Sequence, residues 1–286
     1  NFYKMHIIVI PVYNDWKSLN KLLHEVNSRC NTKELIKILI VDDFSNKKPL
    51  LNLKELNKIK EIKILKLTKN LGSQKAITIA LNYLRKIESS FYVTIMDSDG
   101  EDDPGHVEEM LSLAKKNKTK VVVSCRKSRK ENLLIKICHK IHLILTFFFT
   151  AKWISFGNFS SFHSKNIKKI LSDNSSWHAY SAAIIKNTSI KRTYSPRLER
   201  YYDKSKVSFL FLITHSIKIM GVFYNRIFLF SLFYALLINK LSNEFNFLIL
   251  ALIGVINILI FSVITKNYVR QHTNFLNFIK NIKIIK

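Results

Sequence analysis

Residues 93–107 read VTIMDSDGEDDPGHV, and their reading decides the fold. An apolar run of strand type, Val93 to Met96, stops in Asp97, Asp99, Glu101, Asp102 and Asp103. The rest of the chain makes that cluster conspicuous. Over 286 residues, 46 Lys and Arg face only 20 Asp and Glu, a formal net charge of +26. Such a charge points to a polyanionic partner: nucleic acid, an anionic membrane surface or phosphorylated ligands. Acids gathered at one strand end of so basic a chain therefore need a local reason.

Strand signals repeat outward from this stretch. MHIIVIPVY (5–13), IKILIVDD (36–43), EIKILKL (61–67), YVTIMD (92–97) and KVVVSCR (120–126) are short β-branched runs. Helical stripes lie between them: Leu19, Leu22, Leu23 and Val26, then Ala76, Ile79, Ala80 and Leu84. Residues 104–114 are helical too, with Pro104 in the first turn. Strands alternating with helices predict an α/β domain with a parallel, doubly wound sheet. Ligands of such sheets bind beyond the carboxyl ends of the strands. The polar clusters Pro11–Asp15, Asp42–Asp43 and Asp97–Asp103 should meet at one such edge.

The second half is different. Leu133–Ala151 is apolar but carries Lys136, His139, Lys140 and His142, a pattern for an interfacial helix; a buried core helix is the blander reading. Residues 217–238 and 245–265 predict two transmembrane helices, the second without a charge and long enough for a hydrocarbon core of about 30 Å. Lys204, Lys206 and Lys218 flank them on one side, and Lys266, Arg270, Lys280, Lys283 and Lys286 on the other. By the positive-inside rule both ends of this hairpin face the cytoplasm. The expected organisation is a catalytic domain over 1–205, a membrane region over 206–270 and a basic, helix-like cytoplasmic tail over 271–286. No signal peptide is expected, because the first strand leads straight into a motif. Cys30, Cys125 and Cys138 lie far apart, have no metal spacing and read as reduced thiols.

Carboxylates at a strand end serve a hard divalent cation or general acid–base chemistry. The blander alternative is a solvated loop in which Asp102 or Asp103 caps a helix. The five strand-end blocks together resemble glycosyltransferase family 2, whose members have the GT-A fold. DSDGEDDP (97–104) resembles its D-x-D block. IIVIPVYND (7–15) resembles its first strand, which implies that Pro11, Tyr13 and Asn14 line the base and ribose pocket. IVDDFSN (40–46) implies that Asp43 contacts the base, with Asp42 in support. KNLGSQKA (69–76) implies that Gly72 lets the backbone approach the nucleotide. VVVSCR (121–126) implies that Arg126 reaches phosphate.

The likeness continues through FGNFSSFHSKNIKKI (156–170), which resembles the segment over the sugar and acceptor site. PRLERYYDKSK (196–206) is similar to the R-x-x-R-x-x-G-x-S-K block of the polyprenyl-phosphate glycosyltransferases, placing Arg197, Arg200 and Ser205 at the substrate. The resemblance implies a nucleotide-sugar donor, UDP- or GDP-linked, a polyprenyl-phosphate acceptor and Mg²⁺ or Mn²⁺ held by Asp99 and Glu101. Asp97 supports nucleotide and metal, while Arg126, Lys136 and Arg200 hold phosphates. It also implies a multi-pass protein of the inner, cytoplasmic membrane with its catalytic domain in the cytoplasm, and it allows a homo-oligomer assembled through the membrane helices.

Departures from the family pattern matter. Gly100 and Glu101 replace the usual followers of the D-x-D, Asp203 stands for a glycine, and Asn158 occupies a place where some relatives carry Asp. A phosphate acceptor, already ionised, needs no protein base. A hydroxyl acceptor on a lipid-linked or cell-surface glycan is the alternative, and Asp102 is the base it would use. Gln occurs only at 74 and 271, outside any Q-x-x-R-W motif, which argues against a processive synthase. A nucleic-acid partner is not expected, since no interleaved basic-aromatic surface is present and the acids would repel phosphate without a metal.

Overall fold

The computed structural model describes residues 5–126, 133–202, 209–240, 246–266 and 274–286. In chain order the strands and helices are β1 (Met5–Val12), α1 (Trp16–Arg29), β2 (Leu35–Asp42), β3 (Ile59–Leu67), α2 (Ser73–Leu84), β4 (Phe91–Ile95), α3 (Val107–Lys116), β5 (Lys120–Arg126) and α4 (Leu133–Thr150). Then follow β6 (Phe156–His163), α5 (Lys165–Ile170), α6 (Ser175–His178), α7 (Tyr180–Asn187), β7 (Ser189–Ser195), α8 (Phe209–Gly221), α9 (Tyr224–Lys240), α10 (Asn246–Lys266) and β8 (Ile279–Ile284). Eight strands form one sheet in the order β7-β5-β6-β4-β1-β2-β3-β8. The strands β3, β2, β1 and β4 run parallel, as does the β5–β7 pair; β6 and β8 join antiparallel.

All five strands that the sequence predicts are present. The helical stripes are the buried faces: Leu19, Leu22, Leu23 and Val26 of α1, and Ala76, Ile79, Ala80 and Leu84 of α2, all lie against the core. Because β1, β2 and β4 are parallel, their carboxyl ends share one edge. Val12 is paired in register with Asp42, the Asp43 amide donates to the Val12 carbonyl at 2.9 Å, and the Met96 amide donates to Val9 at 3.1 Å. The strand order reverses at β1, which has β2 on one side and β4 on the other, and such a switch point opens a crevice for ligand.

The chain divides into two compact units. Residues 1–129, 156–205 and 272–286 make the sheet unit, and residues 130–155 and 206–271 make a helical one. In the helical unit Phe149, Met220, Ile227 and Ile260 form a small core. The apolar pattern over 217–238 predicts one transmembrane helix; the backbone is broken there instead. Helix α8 ends at Gly221, α9 begins at Tyr224, and the two are bent by 88°. Val222 and Phe223 are buried at the corner, and the Phe223 amide donates to the Met220 carbonyl at 2.8 Å, a tight turn closing the first helix. Burial of this apolar corner sets the bend. The helix predicted over 245–265 is found as α10, and among the described helices it is the one long and apolar enough by itself to cross a bilayer; the bent pair makes a second if counted as one span.

The basic stretch at the chain's end also differs from its helical reading. Its residues 279–284 are β8, antiparallel to β3, with the Ile285 amide donating to Ile62 at 3.0 Å. A short turn at 275–278 lays Phe275 and Phe278 against buried Trp177, with ring centroids 4.9 and 5.4 Å away. Lysines on an outer strand suit the exposed side of a sheet edge. Removal of residues 272–286 would open the β3 edge and uncover Trp177. A melting midpoint lower by several degrees is the expected outcome, measured by differential scanning fluorimetry in detergent.

Candidate active site

Two clusters lie at the carboxyl edge of the parallel strands. The first joins the ends of β1 and β2. Asn14 adopts a left-handed backbone with φ of 57°, its amide donates to Ser45 Oγ at 2.8 Å, and its Oδ1 accepts from the amides of Asn46 and Lys47 at 3.0 and 3.1 Å. Asp42 Oδ1 accepts from the Ser45 amide at 2.8 Å, and Lys66 lies 3.9 Å from the other oxygen. The Asn14 carboxamide is thus committed to shaping the loop after β2, and Asp42 caps its own turn. Pro11 is buried within β1, whereas Tyr13 is half exposed beyond it.

Asp43 does more than decorate this edge. Its two oxygens accept from the amides of Leu71 and Gly72, both at 2.7 Å. That carboxylate anchors the entry to α2, where Gly72 has φ of 86°. Nothing lies within 4 Å of the position a Gly72 Cβ would take, so glycine is needed there for its backbone angle and not for space. Burial pushes the Asp43 pKa up to about 6 despite the two amides, and the neighbouring Asp42 charge adds to the rise.

The second cluster is the acid loop after β4. Asp97 Oδ1 accepts from Asn158 Nδ2 at 3.0 Å, and the Asp97 amide donates to Asp102 Oδ2 at 3.0 Å. Asp102, buried, therefore closes the loop on itself. Asp99 Oδ1 accepts from the Glu101 amide at 3.0 Å, and its Oδ2 lies 3.0 Å from Arg200 Nη1. Glu101 Oε2 receives Arg197 Nε and Nη2 at 3.0 and 2.5 Å. Asp103 caps the turn at Gly105 with a 2.9 Å bond and pairs with Arg29 at 2.6 Å. The segment carrying the two arginines is also stitched to the loop by its backbone: the Leu198 amide donates to Glu101 O, and the Tyr201 amide to Asp99 O, both at 3.0 Å. Burial, then the Asp97 charge, pushes the Asp99 pKa up to about 6, against the pull of Arg200.

Of the expected site residues, Asp97, Asp99, Glu101, Asp102, Arg197 and Arg200 come together around this loop. Pro11, Tyr13, Asn14, Asp42, Asp43 and Gly72 belong to the neighbouring strand ends. Ser205 and the side chains of Arg126 and Lys136 lie outside the described residues. Gln74 and Tyr201, to which the motifs assign no role, and Asn158, notable in the sequence only as a departure from the family pattern, all touch the site. Gln74 Nε2 donates to Asn158 Oδ1 at 2.9 Å. The Tyr201 ring lies where a side chain on Gly100 would go. Gln74 sits inside KNLGSQKA and Asn158 at a noted departure, so their positions were visible but their partners were not.

Among the described residues no group of three or more His, Cys, Asp or Glu is gathered as a metal cage. Asp99 and Glu101 instead face guanidinium groups. Their chemistry still fits Mg²⁺ or Mn²⁺, since hard carboxylate oxygens suit those ions and Mg²⁺ usually takes only one or two carboxylates, completing its shell with water and substrate phosphates.

A mixed α/β sheet with a carboxylate loop at the end of its parallel strands defines a GT-A-like fold. Residues 7–170, more than half of the chain, match glycosyl transferase family 2, and the chain belongs to that family. An undecaprenyl-phosphate 4-deoxy-4-formamido-L-arabinose transferase of Proteus mirabilis (strain HI4320) is 27% identical over 215 residues, 72% of this chain and 64% of that protein. The uncharacterized glycosyltransferase YkcC of Bacillus subtilis (strain 168) is 30% identical over 135 residues, 45% of this chain and 39% of that one. The chain thus spans less than two thirds of the length of either relative. The structure of glucosyl-3-phosphoglycerate synthase from Mycobacterium tuberculosis with Mn²⁺, UDP-glucose and phosphoglyceric acid shares the fold, with a TM-score of 0.53 at 12% identity over 78% of this chain and 80% of that one.

Two outcomes are expected at these clusters. Asp43→Asn would set an amide against two backbone donors and cost about 1–3 kcal/mol of stability. Asp43's raised pKa also means that the folded protein holds a proton the unfolded chain has released, so stability from this group falls as pH rises from about 4 to about 6. Melting midpoints taken across that range would show this fall in the parent and a shallower one in Asp43→Asn, where Asp99, raised to about 6 likewise, still contributes. Gly100 has φ of 88° and no room beside Tyr201, so Gly100→Ala would displace the 197–201 segment from the loop. A melting midpoint lowered by a few degrees, with faster proteolysis near residue 200, is the measurable result.

Proposed function

We propose that this chain is a membrane-anchored glycosyltransferase that moves a sugar from a UDP- or GDP-linked donor to a polyprenyl phosphate. The observation that carries the reading is the pairing of Asp99 and Glu101 with Arg200 and Arg197. Carboxylates and guanidiniums interleaved in this way present both signs of charge to a ligand that also has both, a divalent cation on a diphosphate. Asp99 and Glu101 would hold Mg²⁺ or Mn²⁺, which would neutralise charge on the departing nucleoside diphosphate. Arg197 and Arg200, released from the acids, would grip phosphate oxygens through their forked donors, with Arg126 and Lys136 assigned to further phosphates. Asp43 and Gly72 would set the backbone against the nucleotide, beside Pro11, Tyr13 and Asn14. Ser205 completes the substrate set that the family resemblance implies.

The hydrogen bonding of Asp102 supports a phosphate acceptor over a hydroxyl. One of its oxygens is engaged by the Asp97 amide, so it is a loop brace before it is a base. An ionised phosphate oxygen needs no such base and would attack the anomeric carbon in line, inverting it in a single displacement. The Proteus relative, by its name, acts with undecaprenyl phosphate, which favours the same acceptor class.

Membrane attachment rests on the helical unit. Exposed apolar side chains run along α9 and α10, among them Phe228, Leu232, Phe233, Phe247, Leu252 and Phe261. On α4, Ile137, Ile141, Ile144 and Phe148 are exposed likewise, as an interfacial helix requires. In this reading α10 and the bent α8–α9 pair are the two segments that would cross a bilayer, which would bring the chain back to the side on which it entered. The sheet unit is assigned to the cytoplasm.

The test uses detergent-solubilised protein with Mn²⁺, polyprenyl phosphate and a panel of UDP- and GDP-sugars, read by mass spectrometry of the lipid fraction. A sugar-bearing lipid phosphate is expected, with its formation slowed about 100-fold or more by Asp99→Ala. Sugar found on a hydroxyl acceptor, or no turnover with any donor, would overturn the reading.

A further inference from the structure

A chain of hydrogen bonds reaches Asp97 from the start of α7, and its direction is fixed at its far end. Tyr180 is the first residue of α7, and its amide, one of the donors a helix start leaves without an internal partner, donates to Gln74 Oε1 at 2.8 Å. A backbone N–H can only donate. The Gln74 atom facing it is therefore the oxygen, and the amide nitrogen must face the other way. That nitrogen donates to Asn158 Oδ1 at 2.9 Å. Asn158 is oriented in turn, so its Nδ2 points to Asp97 Oδ1 at 3.0 Å. Every bond donates toward the carboxylate. A chain so polarised strengthens its last member, which is a charge-assisted bond.

We propose that Gln74 and Asn158 are positioning residues that hold the Asp97 carboxylate in place for binding of the metal–nucleotide donor. The role rests on the reading of this site as a donor site. It also gives Asn158 a task of its own. A carboxylate at 158 would set an oxygen 3.0 Å from Asp97 Oδ1 where a donor now stands, and two like charges at that distance repel. The amide is thus the residue this chain's Asp97 requires.

Two near-isosteric variants separate positioning from packing. Asn158→Asp keeps the acceptor for Gln74 and replaces the donor to Asp97. Gln74→Glu keeps the acceptor for Tyr180 and removes the donor to Asn158, freeing that amide to turn over and present its oxygen to Asp97. Titration calorimetry of the full chain in detergent, with Mn²⁺ and UDP or GDP, is the readout, alongside the melting midpoint. Each variant is expected to weaken binding about tenfold with its melting midpoint near that of the parent. In an Asp97→Asn background, where residue 97 can itself donate, Asn158→Asp is expected to add no further loss. Parent-like affinity of both variants, or losses that simply add to that of Asp97→Asn, would overturn the positioning role and leave the chain as scaffold. A melting midpoint that falls in step with affinity in both variants would do the same. If the parent binds neither nucleotide with Mn²⁺, the donor-site reading fails first and this role with it.

Discussion

Two backbone hydrogen bonds, from Leu198 to Glu101 and from Tyr201 to Asp99, hold the site together. They join the loop after β4 to a segment that the chain supplies only after β7. The carbonyls of Asp99 and Glu101 flank Gly100, whose positive φ a side chain would resist and whose missing Cβ leaves room for the Tyr201 ring. Once the backbone is stitched, Arg197 and Arg200 need only close short distances to reach the acids. A loop bearing this many carboxylates would otherwise repel itself. Burial alone already disfavours the ionised form of Asp99, and the guanidinium beside it offsets part of that.

The elements legible in the sequence were those whose residues pack the same way whatever surrounds them. The strands β1 to β5 are runs of Val, Ile and Leu, most of them buried on both faces, and such runs read as strands without knowledge of their neighbours. Strand β6 hides its nature because its buried positions include Ser160 and Ser161. Those hydroxyls are acceptable inside only because Tyr180 and Thr94 pair with them at 2.8 and 3.0 Å, partners no local pattern reveals. Strand β7 is an edge with alternating exposure, and β8 is half lysine and asparagine, so neither carries an apolar run. The 88° break before α9 is set by burial of Val222 and Phe223 in a tertiary corner; neither residue type signals a break.

The candidate site divides in the same way. Residue type announced the acids, the glycines and the arginines, because each has few structural reasons to be where it is. Partnership was not announced. Arg197 and Glu101 are 96 positions apart, and Gln74 and Asn158 are 84 apart. Asn14 and Asp102 show the converse. Their side chains look free to meet a ligand, but the fold engages them with backbone amides, Asn14 with those of the loop after β2 and Asp102 with one of its own loop. Short polar side chains satisfy local backbone donors readily, and that competition is invisible until the loop geometry is known.

The charge of the chain and the charge of the site follow different logic. The excess of basic residues is spread over the molecule, whereas three of the five acids of the loop have an arginine seated on them: Arg29 on Asp103, Arg200 on Asp99 and Arg197 on Glu101, with Lys66 near Asp42 on the neighbouring strand end. A balanced site of this kind discriminates by sign. A lone dication would be drawn to the carboxylates but opposed by the guanidiniums seated on them. A lone phosphate would meet the guanidiniums but be opposed by the carboxylates behind. A ligand with both charges, arranged cation toward the loop and anions toward the 197–201 segment, meets opposition from neither half. Such pairing selects for a composite ligand without any single strong contact, and it needs the acid cluster to be as local as the sequence makes it.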